Sequence, residues 1–195
     1  MRTIRQPGTP EKPRLLSVPA SNGGELRLVV AEGRDLVCGL IAALSARGIR
    51  SAAITLVGGT LARAQYVTCI PCDDGDRVVA YGAPTAIDGP VSIVGGNGFL
   101  GIGEGGQPVL HCHAVLVGRD GKLHGGHLPP SQCPAGRSGA VVHAAIIDGA
   151  TLTIRHDYET NLPVFHPAAL EPATVENDAR DRMSTHGKGV AHGLG

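Results

Sequence analysis

Two histidines separated by one residue are the side chains of this sequence best suited to chemistry. They lie in Val109–Val117, a segment rich in branched aliphatic residues that predicts a β-strand. Because residues two apart on a strand share a face, His111 and His113 should present their imidazoles side by side. Histidine is also the commonest metal ligand among protein side chains. The pair therefore provides two candidate metal ligands.

The turn after this strand decides which later residues meet the same face. We predict a three-residue loop over Arg119–Gly121, with Gly121 in the left-handed conformation of a G1-type bulge. Such a loop pairs Gly118 with Lys122. A two-residue loop, or an extra bulge at Gly125-Gly126, would give a different register.

The three-residue loop supplies a third candidate ligand. In its register His127 lies directly opposite His113, whereas His124 lies opposite Leu116 on the other face and is excluded. Three imidazoles, from His111, His113 and His127, suit a Zn²⁺-like ion with metal–nitrogen distances of about 2.0–2.1 Å. They leave one coordination position for water or a ligand. The alternative is that the HxH pattern is only the half-exposed polar face of a strand.

A glycine-rich segment, Gly96–Gly101, matches the GxGxxG pattern of dinucleotide-binding loops. The glycines continue to Gly106 and are followed by Pro108, which leaves no helix whose N-terminus could hold a pyrophosphate. We therefore predict a glycine-rich loop or a bulged edge strand rather than a nucleotide site.

The elements that must position the histidines can also be read from the pattern. Leu26, Leu28 and Val30 alternate as in a half-buried strand, Arg34–Arg47 has helical periodicity, and Gly48 occupies the position of a C-terminal left-handed residue. Further strands, separated by glycine, proline or aspartate turns, are predicted at Ser51–Val57, Leu61–Cys69, Arg77–Tyr81, Val91–Val94, Val109–Val117, Ala140–Ile147 and Leu152–His156. The fold class predicted is α+β, a mostly antiparallel sheet with one main helix.

Composition divides the 195 residues into one domain and two tails. Residues 1–22 form a proline-rich basic leader expected to be flexible, residues 23–167 the domain, and residues 168–195 a flexible polar tail. Lys plus Arg equals Asp plus Glu at 17 each, so the whole-chain charge offers no steering towards a phosphate backbone.

The five cysteines and the hydropathy pattern indicate the cellular location that we expect. An odd number of scattered cysteines suits reduced thiols, and Cys69 and Cys72, which form a single CxxC, are expected to be two strand-end residues beside a turn. Because no apolar run reaches the roughly 20 residues that a membrane span requires, we expect a soluble cytoplasmic protein.

The histidine segment resembles the signature of the PPC (PD1-like, DUF296) family of prokaryotic single-domain proteins and plant AT-hook proteins. The resemblance covers roughly residues 25–160. The matching segments are Gly33–Leu36, Ile49–Ile54, Gly58–Leu61, His111–Ala114, Gly118–Gly121 and Gly125–Leu128. It departs from the family at Arg34, where many members have Glu, and at Ser92, where an acidic residue is lost.

This resemblance implies a compact α+β domain related to the acetolactate decarboxylase-like fold and usually assembled as a homotrimer. It also implies zinc bound by the signature histidines, His111, His113 and His127. DNA is implied as a partner by family naming, but the chain has no Arg-Gly-Arg-Pro core of an AT-hook.

Three functions compete at this point. One is a metal-binding regulatory or interaction protein of the type labelled DNA-binding. Another is a metal-dependent hydrolase or lyase acting on a small oxygenated metabolite, with Glu104 as candidate general base and His143 and His156 as residues that could approach the site. The third is a purely structural trimer module.

Overall fold

The computed structural model describes residues 5–72 and 75–170. The predicted polar tail from residue 171 onward lies outside the described residues. The strands are β1 (Ser21–Val30), β2 (Ala52–Tyr66), β3 (Cys69–Pro71), β4 (Val79–Tyr81), β5 (Thr85–Ile102), β6 (Pro108–Val117), β7 (Leu123–His127), β8 (Ala135–Asp148), β9 (Ala150–Asp157) and β10 (Leu162–Ala169). The strands thus extend from Ser21 to Ala169, two residues beyond the predicted domain limits of 23 and 167 at each end.

The helix α1 (Leu36–Ser45) lies within the predicted helical segment. Asp35 caps it, because its Oδ1 accepts a hydrogen bond from the Cys38 N–H at 2.9 Å. The other carboxylate oxygen accepts the Cys133 N–H at 2.8 Å, which joins the start of the helix to the segment before β8. Gly48 has φ 71°, the left-handed conformation predicted for it. Among the described residues, no helix is long and apolar enough to cross a membrane.

The main sheet has eight strands and is mixed. Its central path is β1-β8-β2-β5-β6-β7, with antiparallel neighbours throughout. β9 pairs antiparallel with β10 and joins β5 in parallel at Ile102 and Thr153. β3 and β4 form a separate two-stranded hairpin. The prediction of a sheet-rich domain with one main helix is confirmed for the described residues.

Several strands are longer than predicted because bulges continue them through glycines. The pair Gly58-Gly59 was expected to separate two strands, but β2 continues through it with register shifts on both sides. A side chain at Gly59 could not fit, because its Cβ would overlap the carbonyl oxygen of Gly139. β10 was not predicted at all.

The prediction for the GxGxxG segment is partly wrong. Gly96–Gly101 belongs to β5, which lies in the interior of the sheet between β2 and β6 and is neither a loop nor an edge. A Cβ at Gly98 would overlap the carbonyl oxygen of His111, so this glycine permits close contact between β5 and the histidine strand. A short 3₁₀ turn, Glu104–Gly106, rather than an α-helix follows β5.

The core lies between α1 and one face of the sheet. Leu36, Leu40 and Leu44 of the helix are fully buried there. On β6, burial alternates, since Leu110, Cys112, Ala114 and Leu116 enter the core. The intervening residues of β6, including both histidines, therefore project from the opposite face.

The leader contacts the turn between β9 and β10. Arg14 forms an ion pair with Asp157 at 2.6 Å, and the Gly8 N–H donates to the Glu159 carbonyl oxygen at 3.0 Å. Burial alone would raise the pKa of Asp157, but hydrogen bonds from Arg14 and from the Thr160 and Glu159 N–H groups lower it to about 2. At neutral pH the buried carboxylate is therefore ionised and paired.

Candidate metal centre

The β6–β7 hairpin has the predicted register. The Gly118 N–H donates to the Lys122 carbonyl oxygen at 3.0 Å, the Gly121 N–H donates to that of Gly118 at 3.0 Å, and Gly121 has φ 75°. His113 consequently pairs with His127. The three-residue loop and the position of His127 are both confirmed.

Two further contacts fix the backbone of His127. Its N–H donates to the Val67 carbonyl oxygen, and its carbonyl oxygen accepts the Val67 N–H, both at 2.9 Å. The preceding Gly126 makes this possible, because a Cβ there would overlap the Val67 carbonyl oxygen. His127 is thus held between β6 and the segment that follows β2.

The three imidazoles converge. Their candidate ligand nitrogens all lie within 4.8 Å of one another. The Nε2 atoms of His111 and His113 are 2.9 Å apart, and the ring of His111 stacks on that of His127 with centroids 4.4 Å apart. A tetrahedral ion with bonds of about 2.0–2.1 Å needs nitrogens roughly 3.3 Å apart. The observed separations, 2.9 Å for the His111–His113 pair and within 4.8 Å for all three rings, are of this order.

The surroundings of His111 and His127 favour their neutral imidazole forms. Burial and, to a smaller extent, the neighbouring His113 lower the pKa of His111. Burial also lowers the pKa of His127 to about 4, with further contributions from His111 and His113. Neutral imidazole is the form that binds a metal.

Within the histidine cluster, one buried nitrogen has no hydrogen-bond partner. Nδ1 of His127 is buried and accepts or donates no hydrogen bond among the described residues. A buried polar atom without a partner costs free energy, and a metal ion or a ligand beside it would remove that cost. The donor set and this atom therefore fit a nitrogen-preferring divalent ion.

Different tyrosines contact His127 and His124. Tyr81 stacks on His127, with centroids 5.3 Å apart and planes 17° apart. His124 pairs with Leu116, and its Nδ1 lies 3.3 Å from the Tyr66 hydroxyl. As the register predicted, His124 stays outside the cluster.

The other candidate residues are not brought to this site. Glu104 lies in the turn between β5 and β6. Pro108, at the start of β6, is about 10 Å along the strand from His111 and pairs with Ile102. Glu104 follows Ile102 and therefore lies beyond this end of the strand pair. His143 lies on β8, three strand spacings away, within 3.1 Å of Arg27, and His156 packs edge-on against Tyr158. Within the described residues, the cluster thus consists of histidines without a carboxylate.

A cavity of about 450 Å³ adjoins the cluster. The β3–β4 hairpin, β6 with β7, and the β9–β10 hairpin enclose it. Its lining comprises Cys69, Arg77, Val79, Ala80, Tyr81, Val109, Leu110, His111, His127, Pro130, Ile154, Leu162, Pro163 and Val164. Sequence reasoning missed Tyr81 as a site residue, because no local pattern indicates that β4 folds over His127.

A sheet with one helix and a hairpin carrying this histidine cluster defines a class of small, sheet-rich domain. The chain belongs to the Plants and Prokaryotes Conserved (PCC) domain family, whose model matches residues 19–146. The family resemblance is therefore confirmed. A search of curated proteins gave no match.

Solved structures share the fold. The metal-containing protein from Archaeoglobus fulgidus is 22% identical, with a TM-score of 0.66 over 78% of this chain and 99% of that one. A plant- and prokaryote-conserved (PPC) protein from Pyrococcus horikoshii is 18% identical, with a TM-score of 0.63 over 80% of this chain and 100% of that one. A candidate DNA-binding protein from Bacteroides thetaiotaomicron is 18% identical, with a TM-score of 0.59 over 75% of this chain and 96% of that one. Identities this low establish the fold alone.

Proposed function

We propose that this protein binds a divalent metal ion, Zn²⁺, through His111, His113 and His127. The observation that carries the proposal is the convergence of three candidate ligand nitrogens within 4.8 Å. The orphaned Nδ1 of His127 supports it, as does the metal in the fold relative from Archaeoglobus fulgidus. When bound, such an ion supplies a Lewis acid with one open coordination position.

We further propose that the protein is a homotrimeric regulatory or interaction module of the cytoplasm. The trimer rests on the family resemblance and on exposed apolar residues of the sheet, including Val57 and Phe99. A cytoplasmic location rests on the five cysteines, all free thiols. The DNA-binding description of the Bacteroides relative is not extended to this chain, because 17 basic residues are balanced by 17 acidic ones.

The second candidate function is a metal-dependent enzyme of hydrolase or lyase type. The cavity beside His111 and His127 favours it, since a ligand there would reach the metal. The family resemblance also implies a relation to the acetolactate decarboxylase-like fold, and an enzymatic function would agree with that relation. Because the cluster holds no carboxylate, Glu104 is not supported as its general base.

Metal analysis of purified protein tests the site. Replacing any one of the three histidines should remove most of the bound zinc, because two imidazoles bind far more weakly than three. The variants are His111→Ala, His113→Ala and His127→Ala, and inductively coupled plasma mass spectrometry measures their zinc content. His124→Ala is the matched control, since it removes a histidine of the same hairpin that lies outside the cluster, and it should retain the metal.

Mass measurement by light scattering on the same samples separates binding from assembly. Loss of metal with an unchanged oligomer would assign the histidines to the metal alone. Full zinc content in the three variants would contradict the proposed site.

A further inference from the structure

The cavity beside the histidine cluster has two chemically different parts. His111 and His127 line one part, whereas His113 does not line the cavity. The remainder is largely aliphatic, with Val79, Ile154 and Val164 among its residues. A molecule in this space would therefore meet the metal ligands from one side and apolar walls from the others.

The volume suits a small organic ligand. About 450 Å³ falls in the range of roughly 300–1,000 Å³ typical of small-molecule sites. Tyr81 lines the side of the cavity next to the candidate ligands, where its ring stacks on that of His127. Tyr81 is 53% exposed, so this side of the cavity is open to solvent. The cavity is thus apolar but accessible.

The charges in the cavity favour an anionic oxygen group. Three neutral imidazoles leave the full charge of a divalent ion uncompensated, and they leave one coordination position open. None of the described residues that line the cavity is acidic. A carboxylate or hydroxamate oxygen could occupy the open position, while an attached aliphatic chain would contact the walls.

We propose that this cavity is a binding site for small aliphatic carboxylates and related oxygen ligands, which coordinate the metal and bury their chain against the β9–β10 hairpin. This inference rests on the proposed metal centre. It assigns to that centre a ligand class that combines one anionic head with a short apolar chain.

Chain-length dependence of hydroxamate binding tests the inference. Acetohydroxamate probes the metal alone, and hexanohydroxamate adds four methylene groups. Each buried methylene strengthens binding about fourfold, so the zinc-loaded protein should bind hexanohydroxamate at least tenfold more tightly in calorimetry. Ile154→Phe and Val164→Phe fill the cavity and should remove most of this preference while leaving acetohydroxamate binding and zinc content unchanged.

Leu15→Phe is the matched control, because Leu15 is an exposed residue of the leader outside the cavity lining. It should keep the chain-length preference. Equal affinity for both probes in the unaltered protein, or a preference that persists in both filled variants, would overturn the inference alone. Failure of the unaltered protein to bind zinc would instead contradict the metal centre and remove the inference with it.

Discussion

At the scale of single residues, the proposed ligand His127 depends on its neighbours for its position. Its backbone is fixed by Val67, and its ring lies between the rings of His111 and Tyr81. Stacking on both faces limits ring rotation, and a ligand that is already oriented binds a metal at a smaller entropic cost. Tyr81 should therefore contribute to metal affinity without contacting the ion.

Substitutions of Tyr81 test this positioning role. Tyr81→Ala removes the stacked ring, and a stacking contribution of about 0.5–1.5 kcal/mol corresponds to roughly two- to tenfold weaker zinc binding. Tyr81→Phe keeps the ring and should bind zinc as the unaltered protein does. The zinc affinity of each variant is measured by competition with a chromogenic chelator. Equal affinities for the Ala and Phe variants would show that stacking does not position His127.

At the scale of elements, sequence reasoning succeeded where the decisive contacts are local. The strand alternation that exposes His113 and the turn at Gly121 lie within one hairpin, so pleat and loop length were sufficient to place His127. Gly58-Gly59 and Gly96–Gly101 were misjudged because glycine signals turns locally, whereas here it permits close contact between distant strands. The partner strands that require those glycines are not visible in the local pattern.

Gly126 in β7 shows the same dependence on a distant strand. Gly126→Ala would force a Cβ against the Val67 carbonyl oxygen and displace His127, with a cost of about 1–3 kcal/mol in unfolding free energy. We expect both the melting temperature and the zinc affinity to fall.

Gly149→Ala is the matched control for Gly126→Ala. Gly149 also has a positive φ, 74°, but a Cβ there would meet no atom within 4 Å. This variant should lose about 1 kcal/mol of stability and keep its zinc affinity. Unchanged zinc affinity in Gly126→Ala would show that the approach of β7 to Val67 does not position the ligand.

At the scale of the whole molecule, the face of the sheet opposite α1 carries both the candidate site and exposed apolar residues. Phe99 pairs with His111 across β5 and β6, so the two side chains share that face. Val29, Val57, Phe99 and Val115 are between 46% and 61% exposed. Sequence periodicity predicts which side chains point away from the core. It cannot show that strands from distant parts of the chain place these side chains on one surface. That arrangement favours assembly through this face.

A charge in this face tests the proposed trimer. Phe99→Lys should convert an assembly of about three times 19.9 kDa into monomers, because the interface would have to bury an unpaired ammonium group. Leu15→Lys, which places the same charge on an 85% exposed leader residue, should leave the mass unchanged. Light scattering coupled to size-exclusion chromatography measures both. A trimer that survives Phe99→Lys would locate the interface elsewhere, whereas a monomeric unaltered protein would contradict the trimer itself.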